Sequence, residues 1–196
     1  IGFIYCMDRK SKMKVLVVFG TRPEAIKMCP VIKKLKEKSN IICRACLTGQ
    51  HEEMLNQVME TFDIKSDYNL HVMTERQTLA GVSARIMTGL QEIYEKEKPD
   101  VVLVHGDTTS SYIAAVCAFY QHIPIGHVEA GLRTYRLQSP FPEEFNRQAV
   151  GIVAKYNFAP TEKAKENLIK EGKKADTIYV TGNTAIDALK TTIKDN

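Results

Sequence analysis

The stretch Lys14-Val15-Leu16-Val17-Val18-Phe19-Gly20-Thr21-Arg22-Pro23-Glu24-Ala25-Ile26-Lys27 decides the reading of this chain. Val15 to Phe19 is an unbroken apolar, largely β-branched run. Such a run reads as a strand buried on both faces, the pattern of a parallel sheet. A glycine turn follows, and Pro23 then opens a helix at the position where its missing N–H is no loss. Strand, glycine turn and proline-started helix form the layout of a substrate or phosphate site in an open α/β sheet, beyond the C-terminal ends of the strands. Arg22 and Lys27 add positive charge near a helix N-terminus that itself favours anions. The glycine spacing is neither that of a Walker loop nor that of a dinucleotide fingerprint, so the stretch calls for no nicotinamide cofactor.

Outward from this stretch the chain alternates strand and helix. Ile26, Cys29, Ile32 and Leu35 recur at helical spacing over 23–38, with Pro30 expected to kink or interrupt the helix. Strands are expected at 41–47, 101–104, 124–128, 157–159 and 178–180, with a short extended piece at 68–72. Helices are expected at 52–62, 78–98, 109–121, 143–155, 161–171 and 183–194, the last capped by Asn183 or Thr184. Strict alternation predicts a doubly wound, Rossmann-like α/β domain with a parallel sheet between two helical layers.

Composition narrows the class further. The 196 residues suffice for one ordinary domain with a real core. No apolar run reaches transmembrane length, so no membrane association is expected. A net charge of +4 is spread over helix faces such as Lys33, Lys34, Lys36 and Lys38. Without aromatic–basic interleaving, that pattern argues against nucleic acid as a partner. Five cysteines, an odd number in a chain that is not a short secreted scaffold, read as reduced thiols and hence a cytoplasmic protein. Cys43 and Cys46 have CxxC spacing but lie in a strand, away from any helix N-terminus that would lower their pKa. No second pair completes a zinc site, and no metal is expected. Residues 1–12 read as an extension ahead of Met13.

Three loops follow three expected strands and converge on one sheet edge. The first carries Arg22 and Lys27. The second is His105-Gly106-Asp107-Thr108-Thr109, and the third is His127-Val128-Glu129-Ala130-Gly131. A fourth segment, Pro142-Glu143-Glu144-Phe145-Asn146-Arg147, then starts a helix. Each residue has a plain structural reading. Asp107 fits a helix N-cap, Glu143 and Glu144 fit first-turn dipole complementarity, and the two histidines fit the core. Glu129, between an apolar strand and Ala-Gly, is harder to explain that way. Three acids with two or three bases on one edge favour a site.

These loops, together with Gly20-Thr21-Arg22-Pro23-Glu24 and Thr181-Gly182-Asn183-Thr184, resemble the non-hydrolysing bacterial UDP-N-acetylglucosamine 2-epimerases from about Met13 to the C-terminus. Thr108 and Thr109 after Gly-Asp match that group rather than its hydrolysing relatives, which tend to carry Arg there. The resemblance implies the N-terminal half of a two-domain GT-B-type fold. Residues 13–182 would form that domain, and 183–196 a hinge and the start of a second domain. It implies UDP-GlcNAc and UDP-ManNAc as substrates in cell-surface polysaccharide synthesis, no cofactor, and a homodimer. The second domain would supply most uridine contacts and a catalytic histidine. Asp107, Glu129 and Glu143 then stand as the acid–base set, with no assignment of which removes the proton. Arg22, Lys27 and Arg147 stand as substrate or phosphate contacts, alongside Asp107 and Glu129. An allosteric substrate site would map to Gln50, His51, Glu53, Arg76 and Glu143, with Glu53 where Gln is often found. An epimerase of a related UDP-diacetamido uronic acid, or an inactive nucleotide-sugar-binding fragment, remain the other readings.

Overall fold

A computed structural model describes residues 12–49, 52–74 and 77–192. The described residues contain seven strands: β1 (Met13–Phe19), β2 (Ile41–Leu47), β3 (Tyr68–Asn69), β4 (Val101–His105), β5 (Ile125–Val128), β6 (Tyr156–Ala159) and β7 (Ile178–Val180). The helices are α1 (Arg22–Lys36), α2 (Glu52–Thr61), α3 (Leu79–Glu97), α4 (Thr109–Tyr120), α5 (Glu143–Val153), α6 (Glu162–Lys170) and α7 (Thr184–Thr192). The strands form one parallel sheet in the order β3-β2-β1-β4-β5-β6-β7. The chain winds outward from β1 through β2 to β3, then returns to the other side of β1 at β4. The switch point therefore lies between β1 and β4, where an open sheet of this kind leaves a crevice beyond its strand ends.

The alternation of β1 explains the two layers. Val15, Val17 and Phe19 point to one face, where they pack with Ala25, Met28 and Ile32 of α1 and Leu55 and Met59 of α2. Leu16 and Val18 point to the other, against Ile86, Leu90 and Tyr94 of α3, Ile113 and Ala114 of α4, and Val150 of α5. A smaller cluster joins Ala130, Ala159 and Ile178 to Ala164 and Leu168 of α6. The same period of two separates Cys43 from Cys46, which lie in the cores on opposite faces of the sheet. Burial pushes their thiols up to about 11 and about 12, so the CxxC spacing is a core feature.

Two points of local structure go against single-residue preference. Pro30 does not interrupt α1, which runs from Arg22 to Lys36. Met28, Cys29, Pro30 and Ile32 are all buried there, and this burial outweighs one missing backbone hydrogen bond. Asp107 is not the cap of α4. Thr108 takes that place, its hydroxyl accepting from the Ser111 N–H at 3.1 Å. The expected extended piece at 68–72 pairs as a strand only over Tyr68–Asn69. Asn183 caps α7, its side-chain oxygen accepting from the Ala185 N–H. Residues 1–11, Cys6 among them, and 193–196 lie outside the described residues. No described helix is long and apolar enough to cross a membrane.

Candidate functional site

The β1–α1 loop is built around Gly20. A side chain there would place its Cβ 2.0 Å from Thr48 Oγ1 and 2.7 Å from Ser110 Oγ, so the ends of β1 and β2 and the start of α4 close on a bare backbone. Thr21 and Glu24 form a capping box at the start of α1. One turn further on, Lys27 extends across the crevice and its Nζ pairs with Glu129 Oε1.

Glu129 follows β5 with φ +63°, in the left-handed region that a residue other than glycine enters at a cost of about 1–3 kcal/mol. Gly106, in the neighbouring β4–α4 loop, and Gly131, two residues on, also have positive φ, at 63° and 89°. Its carboxylate is mostly buried, with a side-chain exposure of 16%, and Oε2 lies 3.7 Å from His105 Nε2 at the end of β4. Burial, helped by the charge of Lys27, drives the His105 imidazole down to about 3. It is therefore neutral near pH 7 and cannot be the cation that balances Glu129; Lys27 is. His127 is fully buried, with Nε2 2.7 Å from the Gly106 carbonyl, to which it donates. Burial holds it at about 4. Both histidines thus support the loops from within the core, as their strand-end positions suggest.

A second ion pair lies on the β4–α4 side. Arg147 of α5 reaches Asp107 Oδ2 through Nη2, and its neighbour Asn146 donates to the Asp107 carbonyl at 2.9 Å. Glu143 stands four residues before Arg147 on α5, hence on the same helix face and one turn closer to the N-terminus. It is partly exposed, and its carboxylate has no ion pair or hydrogen bond among the described residues. Arg22, the first residue of α1, is exposed at the same sheet edge. The structure therefore joins Lys27 to Glu129 and Asp107 to Arg147 through side-chain contact, and brings Glu143 and Arg22 to the edge without such contact. Of the expected second site, Gln50, His51 and Arg76 lie outside the described residues, as does the side chain of Glu53 in α2. Among the described residues no group of three or more His, Cys, Asp or Glu side chains is arranged to hold a metal ion.

Two carboxylates escaped the sequence reading. Glu144 has no exposed surface. Its oxygens accept from the Thr134 and Tyr135 N–H groups at 3.1 and 2.9 Å and from Gln148 at 2.8 Å, holding the loop after Gly131 against α5. Burial raises its pKa, but those hydrogen bonds and Arg133 together bring it below the ordinary carboxylate value. Glu24 was quoted for its motif but not for a role, although the Thr21-x-x-Glu24 spacing is that of a capping box.

An open parallel sheet whose charged pairs gather at the crevice between β1 and β4 defines a Rossmann-like α/β domain with its candidate site at the switch point. Comparison with known proteins makes this class specific. The family model described as UDP-N-acetylglucosamine 2-epimerase matches residues 33–196, and the chain belongs to that family. It is 55% identical over 185 residues to the UDP-N-acetylglucosamine 2-epimerase of Bacillus subtilis (strain 168), covering 94% of this chain and 49% of that protein. The crystal structure of UDP-GlcNAc 2-epimerase from Neisseria meningitidis bound to UDP-GlcNAc matches with a TM-score of 0.90 and 53% identity, over 91% of this chain and 48% of the other. That of the Methanocaldococcus jannaschii UDP-GlcNAc 2-epimerase in complex with UDP-GlcNAc and UDP matches with a TM-score of 0.84 at 37% identity, over 90% and 48%. The chain spans about half the length of the curated relatives it matches.

Proposed function

We propose that this chain is the N-terminal half of an epimerase that interconverts UDP-GlcNAc and UDP-ManNAc. The observation that carries the reading is the pair of acid–base couples, Lys27–Glu129 and Asp107–Arg147, facing one crevice in a member of this family. The C2 proton of an N-acetylhexosamine has no adjacent carbonyl and is barely acidic. Breaking the C1–O bond to UDP develops positive charge at C1 and acidifies that proton. A carboxylate removes it, and a glycal and UDP result. Protonation of C2 from the other face and return of UDP to C1 give the epimer. The route needs a base and an acid on opposite faces and cations for the leaving diphosphate. Asp107, Glu129 and Glu143 are the acid–base candidates, and Arg22, Lys27 and Arg147 the cations. Neutral His105 and His127 shape the floor beneath them and take no proton near pH 7.

In this reading residues 13–182 form the first of two GT-B-type domains, and 183–196 lead through a hinge into the second. Coverage of about half of each relative supports it. The second domain completes the cleft with uridine contacts and a histidine, and the whole protein is a cytoplasmic homodimer that supplies cell-surface polysaccharide synthesis. The resemblance also motivates a regulatory substrate site around Gln50, His51, Glu53, Arg76 and Glu143. A panel of UDP-sugars, offered to the full-length protein and to this chain alone, tests the assignment. The full-length protein should convert UDP-GlcNAc to UDP-ManNAc and the isolated chain should not. Turnover restricted to a UDP-diacetamido uronic acid would overturn the substrate, and parent-like turnover by the isolated chain would overturn the two-domain reading.

A further inference from the structure

Glu24 is 3% exposed, yet no Lys, Arg or His among the described residues forms a salt bridge with it. Its two oxygens are divided between two loops. Oε2 accepts from the Gly20 N–H at 3.0 Å, the Thr21 N–H at 2.8 Å and the Thr21 hydroxyl at 2.8 Å, all in the β1–α1 loop. Oε1 accepts from the Thr108 hydroxyl at 2.8 Å, across the switch point in the β4–α4 loop. Ser111 Oγ lies 2.9 Å from the same oxygen and 2.6 Å from the His105 carbonyl, with one proton to serve either. The carboxylate also faces the first turns of both α1 and α4, whose N–H groups favour negative charge. The first of these loops opens α1, which carries Lys27 one turn beyond Glu24, and the second carries Asp107 next to Thr108.

We propose that Glu24 is a positioning residue: it clamps the β1–α1 loop to the β4–α4 loop and so sets the distance between the Lys27–Glu129 couple and the Asp107–Arg147 couple. The proposal rests on the reading of Asp107 as a working acid or base. An ordinary helix cap would stabilise α1 and leave catalysis alone. A clamp acts on turnover through Asp107, because a shift of about 1 Å in a reacting group costs about 10²-fold in rate.

The test uses the full-length protein and UDP-GlcNAc. Thr108→Val combined with Ser111→Ala removes both hydroxyls through which the start of α4 reaches Glu24, leaving Glu24's bonds to its own loop. It also removes the cap of α4. Thr78→Val removes the matching cap of α3, where Thr78 accepts from the Gly81 N–H at 3.1 Å and, among the described residues, no hydrogen bond joins that turn to the loops of Asp107 or Glu129, and so calibrates that loss. Glu24→Gln is the independent cut, since it turns one of two acceptor oxygens into a donor that faces donors. The Thr108→Val, Ser111→Ala pair and Glu24→Gln should each lower kcat by about 10²-fold, while Thr78→Val keeps its kcat at a similar loss of Tm. In an Asp107→Asn background both losses should largely vanish, because groups acting as a unit are not additive. Losses of the same size in both backgrounds, or equal kcat for the Thr108→Val, Ser111→Ala pair and Thr78→Val, would overturn the positioning role alone. Full turnover by Asp107→Asn itself would overturn the acid–base reading and the proposal with it.

Discussion

Replacing Gly131 with alanine should unfold this chain far more readily than the same change at Gly172, although both glycines have nearly the same backbone. Their φ angles are +89° and +85°. Left-handed backbone costs an L-residue about 1–2 kcal/mol, and this part is common to both. Their surroundings differ. A Cβ on Gly172 meets nothing within 4 Å, whereas one on Gly131 would stand 2.2 Å from the Ala164 carbonyl oxygen and 2.8 Å from its carbon. Ordinary carbon contacts settle at about 3.5–4.0 Å, so the shortfall is roughly 1 Å against helix backbone that cannot rotate aside. Overpacking of that kind adds about 1–3 kcal/mol. The expected losses are about 1–2 kcal/mol for Gly172→Ala and about 2–5 kcal/mol for Gly131→Ala, out of a typical total of about 5–15 kcal/mol. With a urea slope of about 2 kcal/mol per molar, the midpoints should fall by about 0.5–1 M and about 1–2.5 M respectively. Urea unfolding followed by far-UV circular dichroism reads both. Equal midpoint shifts would refute the close approach of the Glu129–Gly131 loop to α6, and with it the account of how Glu129 is held.

Asp107→Asn, Glu129→Gln and Glu143→Gln in the full-length protein should each lower kcat by roughly 10²-fold or more while leaving the fold intact; near-normal turnover in all three would reduce these acids to loop and helix-end charges. The buried histidines predict a pH dependence of stability. Their folded values of about 3 and about 4 lie below the unfolded value of about 6.5. Below that pH the unfolded chain binds protons that the folded chain refuses, so stability falls as pH drops from about 6.5, by up to about 1.4 kcal/mol per unit for each histidine. His127→Asn should flatten that slope between pH 6.5 and 4 in urea titrations, and an unchanged slope would contradict the burial argument.

Much of this was legible in the sequence because the signals were local. The apolar run at Val15–Phe19 and the helical stretches expected at 78–98 and 161–171 rest on near neighbours, and the observed β1, α3 and α6 start close to where they were expected. Pro30 does not break α1 because its rule counts one backbone hydrogen bond, while burial of a whole helix face decides whether the helix continues. Asp107 is the opposite case. Residue preference suits it to a cap, but Arg147, forty residues away, engages its carboxylate and leaves the cap to Thr108. Glu24 and Glu144 show the same limit more strongly. Each looks like a first-turn acid in sequence, and only the meeting of distant loops turns them into buried acceptors, Glu24 across 84 residues to Thr108.

The central claim is that the carboxylates at this crevice exchange the C2 hydrogen of a UDP-N-acetylhexosamine while UDP departs and returns. Carboxylates at a cleft equilibrate with water between turnovers, so the full-length protein acting on UDP-GlcNAc in heavy water should place deuterium at C2 of the UDP-ManNAc formed. Trace free UDP and glycal should accompany it. Product with an unlabelled C2, formed only when NAD is added, would contradict the elimination route and remove the roles given to Asp107, Glu129 and Glu143.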